Sequence, residues 1–318
     1  MTCYHPNQAH VAGIKPDGKK IIRFGLPKKP DQESFLLPCS QCIGCRLDYS
    51  IQWAARCMHE NQMHDNSCFI TLTYDEEHLP AWGTLVPHHF TNFMKKLRHA
   101  VDPLRIRYFM GAEYGQDKGH RPHYHAIIFG YDFPDKEVFR ECEGIYTYYS
   151  PLLEKIWGKG FCTTGEVTLE SCAYTARYIM KKYKVSDASP ETIKEDHNAY
   201  YERVCPITGE IRQLEPEYAR MSRGGDNKGL GYEWYKTYSG DIFPYDTTIY
   251  RGKKIKTPRY YENLLRSTDL LTFENVKAER KKKAALHLAD QTPRRLRDRE
   301  TVKIASMQNI YRTLHNEN

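Results

Sequence analysis

Two histidines one residue apart, His123 and His125, lie in the run His123-Tyr124-His125-Ala126-Ile127-Ile128-Phe129, whose aromatic and β-branched content predicts a β-strand. Side chains alternate along a strand, so these two imidazoles share a face and can grip one divalent ion. Such pairs are often incidental, and their surroundings decide what they mean. Glu113 closes the preceding predicted strand, where a turn can bring its carboxylate opposite the histidines. Two imidazoles and a carboxylate, with coordination positions left open, make a site for an ion that also holds a phosphate. Tyr174 and Tyr178 stand four residues apart in a run without Gly or Pro that predicts a helix from Ser171 to Tyr183. Residues i and i+4 share a helical face, so both hydroxyls can address one spot. A phenol oxygen can attack phosphorus once the charge on the phosphate is neutralised, and Lys181 and Lys182 continue the same helix. Two tyrosines in isolation would be packing residues; the argument rests on the whole set occurring together.

The elements that must position these residues follow from hydrophobic period. Leu47, Ile51, Ala54, Ala55 and Met58 recur at helical spacing within 40–64, and Phe90, Phe93, Met94, Leu97 and Val101 mark a second helix starting near Pro87. Strands are predicted at 68–74, 105–110, 123–129 and 161–167, and a further helix at 151–157. The order strand, helix, strand, strand, helix, strand, helix predicts an α+β fold, an antiparallel sheet flanked by helices, ferredoxin-like or RRM-like. Residues 1–38 read as irregular and 185–250 resist assignment. Helices are expected at 268–289 and 293–314, the latter with Thr292 as N-cap and Pro293 in its first turn. Four regions result: a Cys-containing N-terminal region and helix (1–66), a core (67–184), a Gly/Tyr-rich region packed on it (185–250) and a basic helical tail (251–318).

Three blocks then stand in a fixed order: Phe69-Ile70-Thr71-Leu72-Thr73-Tyr74-Asp75, Arg121-Pro122-His123-Tyr124-His125-Ala126-Ile127-Ile128-Phe129-Gly130, and Tyr174-Thr175-Ala176-Arg177-Tyr178-Ile179-Met180-Lys181-Lys182. Jointly they are highly specific. The sequence resembles a rolling-circle replication initiator of the HUH endonuclease superfamily, of the kind found in small single-stranded DNA phages of the microvirus/gokushovirus type. The resemblance takes in Pro38-Cys39-Ser40-Gln41-Cys42-Ile43-Gly44-Cys45-Arg46 and Gly111-Ala112-Glu113-Tyr114-Gly115, and so covers residues 1–240. It implies a protein that nicks one strand at an origin, stays joined to the 5′ end through phosphotyrosine, leaves a free 3′ hydroxyl, and later rejoins the strand. Residue by residue it implies Tyr174 and Tyr178 as nucleophiles, and His123, His125 and Glu113 as ligands for Mg or Mn. One of Lys181 and Lys182 would contact the phosphate. The implied partners are single-stranded and origin DNA with a host helicase and polymerase, and the implied location is the cytoplasm of the host bacterium. Plasmid initiators and transposases share the superfamily, but the two-tyrosine helix and the cysteine block favour the phage type. Near Met221–Gly231 the chain departs from the expected pattern, with extra residues before Gly229-Leu230-Gly231, and no role is assigned there. The competing reading is a zinc-stabilised, non-enzymatic nucleic-acid-binding protein whose tyrosines only stack on bases.

Cys39, Cys42 and Cys45 follow a C-x-x-C-x-x-C spacing suited to one structural zinc ion, with Cys3 or Cys57 as the fourth ligand. An iron–sulfur cluster would need a second, more distant cysteine. The alternative is three buried thiols at a helix start. No apolar h-region opens the chain and no run of about 18 apolar residues occurs, so neither a secretory signal nor a membrane span is expected, and the ten cysteines are expected to be reduced. Residues 251–318 carry 17 Lys and Arg against 8 Asp and Glu, whereas the rest of the chain carries 30 against 32. Such a surplus suits phosphate contact. Removing residues 268–318 is accordingly expected to weaken DNA binding and flatten its salt dependence, measured by titration at several ionic strengths. An unchanged slope would return the tail to a merely solvated surface.

Overall fold

The computed structural model describes residues 3–16, 20–27, 29, 32–115, 120–142, 144–178, 201–205, 207–225, 228–250 and 252–315. It divides into two compact units, Met1–Tyr49 with Leu270–Asn318, and Ser50–Asp269.

In the first unit, β1 (Asn7–Ile14) pairs antiparallel with β2 (Lys20–Phe24) on one side and β3 (Ser34–Leu37) on the other. The expectation of an irregular N-terminus is thus corrected. The alternation that reveals a strand in sequence reports burial of one face, and β2 is exposed at every residue. This sheet is held by its backbone ladder. Helix α1 (Ile43–Asn61) starts three residues later than its period suggested. Ser40 has a φ of 63°, a left-handed conformation that no helix can continue through.

The second unit is built on seven antiparallel strands: β4 (Ser67–Leu72), β5 (Arg107–Tyr114), β6 (Pro122–Phe129), β7 (Glu137–Cys142), β8 (Ile145–Tyr149), β9 (Cys162–Gly165) and β12 (Tyr218–Met221). Their order across the sheet is β12-β5-β6-β4-β9-β8-β7. Helices α2 (Pro87–Ala100) and α3 (Pro151–Trp157) cover one face. There Phe90, Phe93, Met94, Leu97, Leu153 and Trp157 pack with Ile70, Leu72, Tyr124, Ala126 and Ile128. On the other face Ala54 and Met58 of α1, with Cys172 and Ala176 of α4 (Leu169–Tyr178), pack with Phe109, Ile127 and Phe129. Burial on both faces is why β6 reads as a near-continuous apolar run, and its alternation sends His123, His125, Ile127 and Phe129 to the α4 side.

The α+β plan and antiparallel sheet are therefore as expected. The β7–β8 hairpin and the edge strand β12 were not foreseen. β7 is exposed along nearly its whole length, and β12 is specified by pairing with Phe109–Ala112 rather than by its own pattern. Two short ribbons complete the 185–250 region and its border: β10 (Glu202–Val204) with β11 (Ile211–Gln213), and β13 (Thr247–Tyr250) with β14 (Lys253–Lys256).

Residues 221–231 gain a structural explanation. Arg56 donates to the Leu230 carbonyl at 3.1 and 3.2 Å and lies between the rings of Trp53 and Tyr260. The buried Glu60 carboxylate accepts from Gly231 N at 2.6 Å and from Arg107 Nη1 at 2.8 Å, and meets His64 Nε2 at 3.2 Å. Gly231 has a φ of 79°, and a Cβ there would collide with the Tyr261 hydroxyl, so only glycine fits. The loop leads into α5 (Tyr232–Ile242), and α6 (Arg259–Thr268) brings Tyr260 and Tyr261 to the same place.

Returning to the first unit, α7 (Leu270–Ala285) and α8 (Pro293–His315) occupy the two expected tail helices. Thr292 caps the second through its hydroxyl to Arg295 N at 3.4 Å. These helices share a unit with residues 3–49, where His5 Nε2 meets Glu300 Oε2 at 2.6 Å. Substituting Lys281, Lys283, Arg294 and Arg297 by Gln removes the tail charge without removing those helices.

Burial would raise the Glu60 pKa, but its hydrogen bonds to His64 and Gly231 and the Arg107 charge hold it below the ordinary carboxylate range. A depressed folded-state pKa stabilises above the unfolded value of about 4.3 and ceases to stabilise as pH falls through the folded one. Glu60→Ala is expected to cost about 3 kcal/mol at pH 7, because Arg107 loses its partner. Urea unfolding from pH 6 down to pH 3 should show a shallower pH dependence in the variant than in the wild type.

Candidate metal and nucleophile site

The antiparallel register of β5 and β6 pairs Glu113 with His123 and Gly111 with His125. Paired residues point to the same face, so all three ligand-type side chains converge. His123 Nε2 lies 2.8 Å and His125 Nε2 3.1 Å from the same Glu113 oxygen, Oε1. The two rings are nearly perpendicular, with centroids 4.9 Å apart. One ligand atom from each residue falls within 4.8 Å of the others.

Each member is held by a neighbour. His123 Nδ1 donates to the Arg121 carbonyl at 3.1 Å, and that carbonyl also accepts from Gly115 N at 3.0 Å, closing the base of the hairpin. Arg121 in turn bonds the Tyr74 carbonyl at 2.9 Å and pairs with Glu76. His125 Nδ1 meets Thr71 Oγ1 of β4 at 3.0 Å, and its ring lies nearly parallel to Phe69 at 5.7 Å. Tyr124, between the histidines, faces the other way. Its hydroxyl donates to the Val86 carbonyl at 2.8 Å and stands 3.0 Å from the Tyr74 hydroxyl.

The donor set fits a divalent cation. A carbonyl only accepts, so His123 Nδ1 carries the proton and the neutral ring turns the Nε2 lone pair toward the carboxylate. Two acceptors 2.8 Å apart need positive charge on or between them, supplied by an imidazolium proton or a metal ion. Adjacent ligands on an octahedral ion at about 2.1 Å stand about 3 Å apart, close to the 2.8 and 3.1 Å seen here. Burial would push the Glu113 carboxyl up, but its hydrogen bonds to the two histidines outweigh that and bring its pKa down to about 2. The group facing the imidazoles is a carboxylate.

Tyr174 comes to this site from α4. Thr168 and Ser171 cap the helix reciprocally, Thr168 N to Ser171 Oγ at 2.9 Å and Ser171 N to Thr168 Oγ1 at 3.1 Å. Ser50 donates to the Ala173 carbonyl at 2.9 Å, tying α4 to α1. With Cys172, Thr175 and Ala176 buried, the helix leaves Tyr174 36% exposed. Its ring stands edge-on to His125, centroids 5.0 Å apart. Tyr178 ends the described part of α4, one turn further on, and its side chain lies outside the described residues, as do Lys181 and Lys182.

Cys3, Cys39, Cys42 and Cys45 also come together, their sulfurs within 4.8 Å of one another. Cys57 does not join them; it is buried with Cys172 between α1 and α4. Cys68 and Cys162 are core residues as expected, whereas Cys142 and Cys205 are only partly buried, a correction that follows from their places at a strand end and in a turn.

The family model for the replication-associated protein ORF2 group matches residues 67–183, the stretch that contains both the Glu-His-His group and Tyr174. The chain is 31% identical over 305 residues to replication-associated protein ORF2 of Spiroplasma virus 4, covering 89% of this chain and 87% of that protein. It belongs to this family of phage replication-associated proteins. Replication-associated protein VP4 of Bdellovibrio phage phiMH2K is 29% identical over 272 residues, covering 83% and 76% of the two chains. Replication-associated protein ORF4 of Chlamydia phage 1 is 27% identical over 243 residues, covering 74% and 55%. The family resemblance to microvirus-type phage proteins is thereby borne out. No solved structure matches the chain.

The residues that sequence reasoning did not single out in this replication-associated protein are Thr71 and Phe69. Their signal is the alternation of β4, in which Ile70 and Leu72 are fully buried on one face and Phe69 and Thr71 turn to the histidines. Groups that orient a ligand typically contribute a factor of about 10 to 100 in metal affinity. Thr71→Val keeps the shape and removes the hydroxyl. It is expected to weaken Mn binding to the full chain by that factor in a calorimetric titration; unaltered affinity would make Thr71 a packing residue.

Proposed function

We propose that this protein initiates rolling-circle replication by nicking single-stranded origin DNA, with Tyr174 as a nucleophile. The observation that carries the reading is Tyr174 edge-on to His125, on an exposed helical face beside a carboxylate and two imidazoles. Glu113, His123 and His125 would hold Mg or Mn, which when bound supplies a Lewis acid that draws charge off the scissile phosphate. The Tyr174 oxygen attacks phosphorus, forming a tyrosyl P–O bond as the P–O3′ bond breaks. The phenolic proton passes to the departing 3′ oxygen by way of water or a neighbouring base. The products are a 5′-phosphotyrosine and a 3′ hydroxyl suited to a polymerase. Bond type is conserved, so the reverse reaction needs no nucleotide cofactor, and catalysis is a matter of position and electrostatics.

Tyr178, one turn along α4, is the second nucleophile in this reading and releases the strand after a round of synthesis. Lys181 or Lys182 neutralises the phosphate, and host helicase and polymerase act on the opened strand. The test is formation of a covalent adduct on a single-site oligonucleotide with Mn. Tyr174→Phe and Tyr178→Phe are each expected to retain some adduct but fail to release closed circles, and the double variant to form none. His125→Ala should lose nicking by at least about a hundredfold while retaining DNA binding. Full activity of His125→Ala in excess EDTA would overturn the metal site, and wild-type behaviour of Tyr178→Phe throughout would overturn the alternation.

A further inference from the structure

The cysteine group stands apart from the nuclease reading and lies in the other unit. Its members come from three places in the chain: Cys3 ahead of β1, Cys39 after β3, and Cys42 and Cys45 at the start of α1. Two of the sulfur pairs, Cys39 with Cys45 and Cys3 with Cys42, are 4.0 Å apart. That is far beyond the roughly 2.05 Å of a disulfide. It is close to the roughly 3.8 Å edge of a tetrahedron of sulfurs about 2.3 Å from one central ion. A cluster of several irons would hold its thiolates further apart, whereas all four sulfurs here fit round a single centre.

The backbone is arranged for negatively charged sulfur. Cys42 N and Gln41 N both donate to Cys39 Sγ, at 3.3 and 3.5 Å. Cys39 N donates to Cys3 Sγ at 3.2 Å and Tyr4 N to Cys42 Sγ at 3.3 Å. The positive φ of Ser40 makes the tight turn that aims two of these amides at one sulfur. Cys42 and Cys45 also sit at the N-terminal end of α1, where the helix dipole favours negative charge and the first turn holds no acidic residue.

The unit has little else to fold around. Among its described residues the buried side chains are Cys3, Ala9, His10, Cys42, Cys45, Val276 and Leu296, while Ile14, Phe24 and Leu26 are 68%, 69% and 77% exposed. A body of this size with so small an apolar core needs a covalent or metal staple, and all its cysteines are free.

We propose that Cys3, Cys39, Cys42 and Cys45 hold one zinc ion in a closed four-thiolate site on which the unit built from residues 3–49 and 270–315 depends for its fold. The ion closes the chain from Cys3 to Cys45 and so fixes the β1–β3 sheet and the first turn of α1. A closed shell leaves no open coordination position, so the site is structural and takes no part in strand transfer.

The test uses the purified full chain. Elemental analysis should give one zinc per chain, and cobalt exchanged into the protein should show thiolate charge-transfer bands with the visible bands of a tetrahedral ion. Cys3→Ser and Cys42→Ser should each lose stoichiometric metal, and Cys57→Ser should keep it. Stripping the wild type with a chelator should expose residues 3–49 and 270–315 to limited proteolysis, leaving a resistant fragment within 50–269, a readout that does not require the serine variants to fold. Zinc-free protein with unchanged protease resistance, iron with acid-labile sulfide, or full zinc content in Cys3→Ser would each overturn the proposal. None of these measurements depends on nicking, so a failure of the nuclease reading leaves them intact.

Discussion

The candidate site depends on the register of two strands. With Glu113 opposite His123, every side chain that could bind a cation falls on one face of the β5–β6 pair. A slip of one residue would turn Glu113 to the opposite face from the histidines and separate the donors, because side-chain direction has a period of two. The register is guarded from both sides of the sheet. Tyr124 is anchored through Val86 and Tyr74 on the α2 face, while Ile127 and Phe129 are buried beneath α1 and α4 on the other. The metal-type residues are thus held by core packing, and the same alternation that builds the core builds the site.

Electrostatics explains why the carboxylate tolerates burial. Glu113 is 2% exposed, and a lone buried charge would cost several kcal/mol. Two imidazoles against one of its oxygens, backed by the Arg121 carbonyl and Thr71, mark a pocket arranged for positive charge. Tyr174 is placed on a different principle. Its helix is fixed by Cys172, Thr175 and Ala176 below and by Ser50 at its side, leaving the phenol at the surface where a DNA strand can reach it. A rigid buried ligand set beside an accessible nucleophile is the division of labour that strand transfer asks for.

A second polar centre maintains the same unit. Arg56, Glu60 and Arg107 bind the backbone of the 221–231 loop through Leu230, Gly231 and Lys228, filling the place where the chain departs from the expected pattern. Those glycines serve close approach: Gly231 takes a positive φ against Tyr261, and Gly229 offers its amide to the Tyr260 hydroxyl at 3.0 Å. In the other unit the cysteine group takes the place that apolar packing holds in the sheet unit.

The sequence by itself determined the α+β class, the helices with strong period such as α2 and α3, the strand that carries the histidines, and the set of residues worth testing. These were legible because burial of one face writes a period of two or 3.6 into the chain, and because His, Glu, Tyr and Cys declare their chemistry by type. Three things were decided only by tertiary structure. Pairing alone made strands of β2, β7 and β12, which are largely exposed or set by a neighbour's register and so carry no burial pattern. Proximity alone chose Cys3 over Cys57 as the fourth thiol, since spacing in the chain says nothing of which distant sulfur returns. The support given to His125 by Thr71 and Phe69 also arose across strands, from residues more than fifty positions away whose own types announce nothing. Local pattern reports what a segment buries; long-range contact is a property of the folded chain, and it is there that the site acquires its geometry.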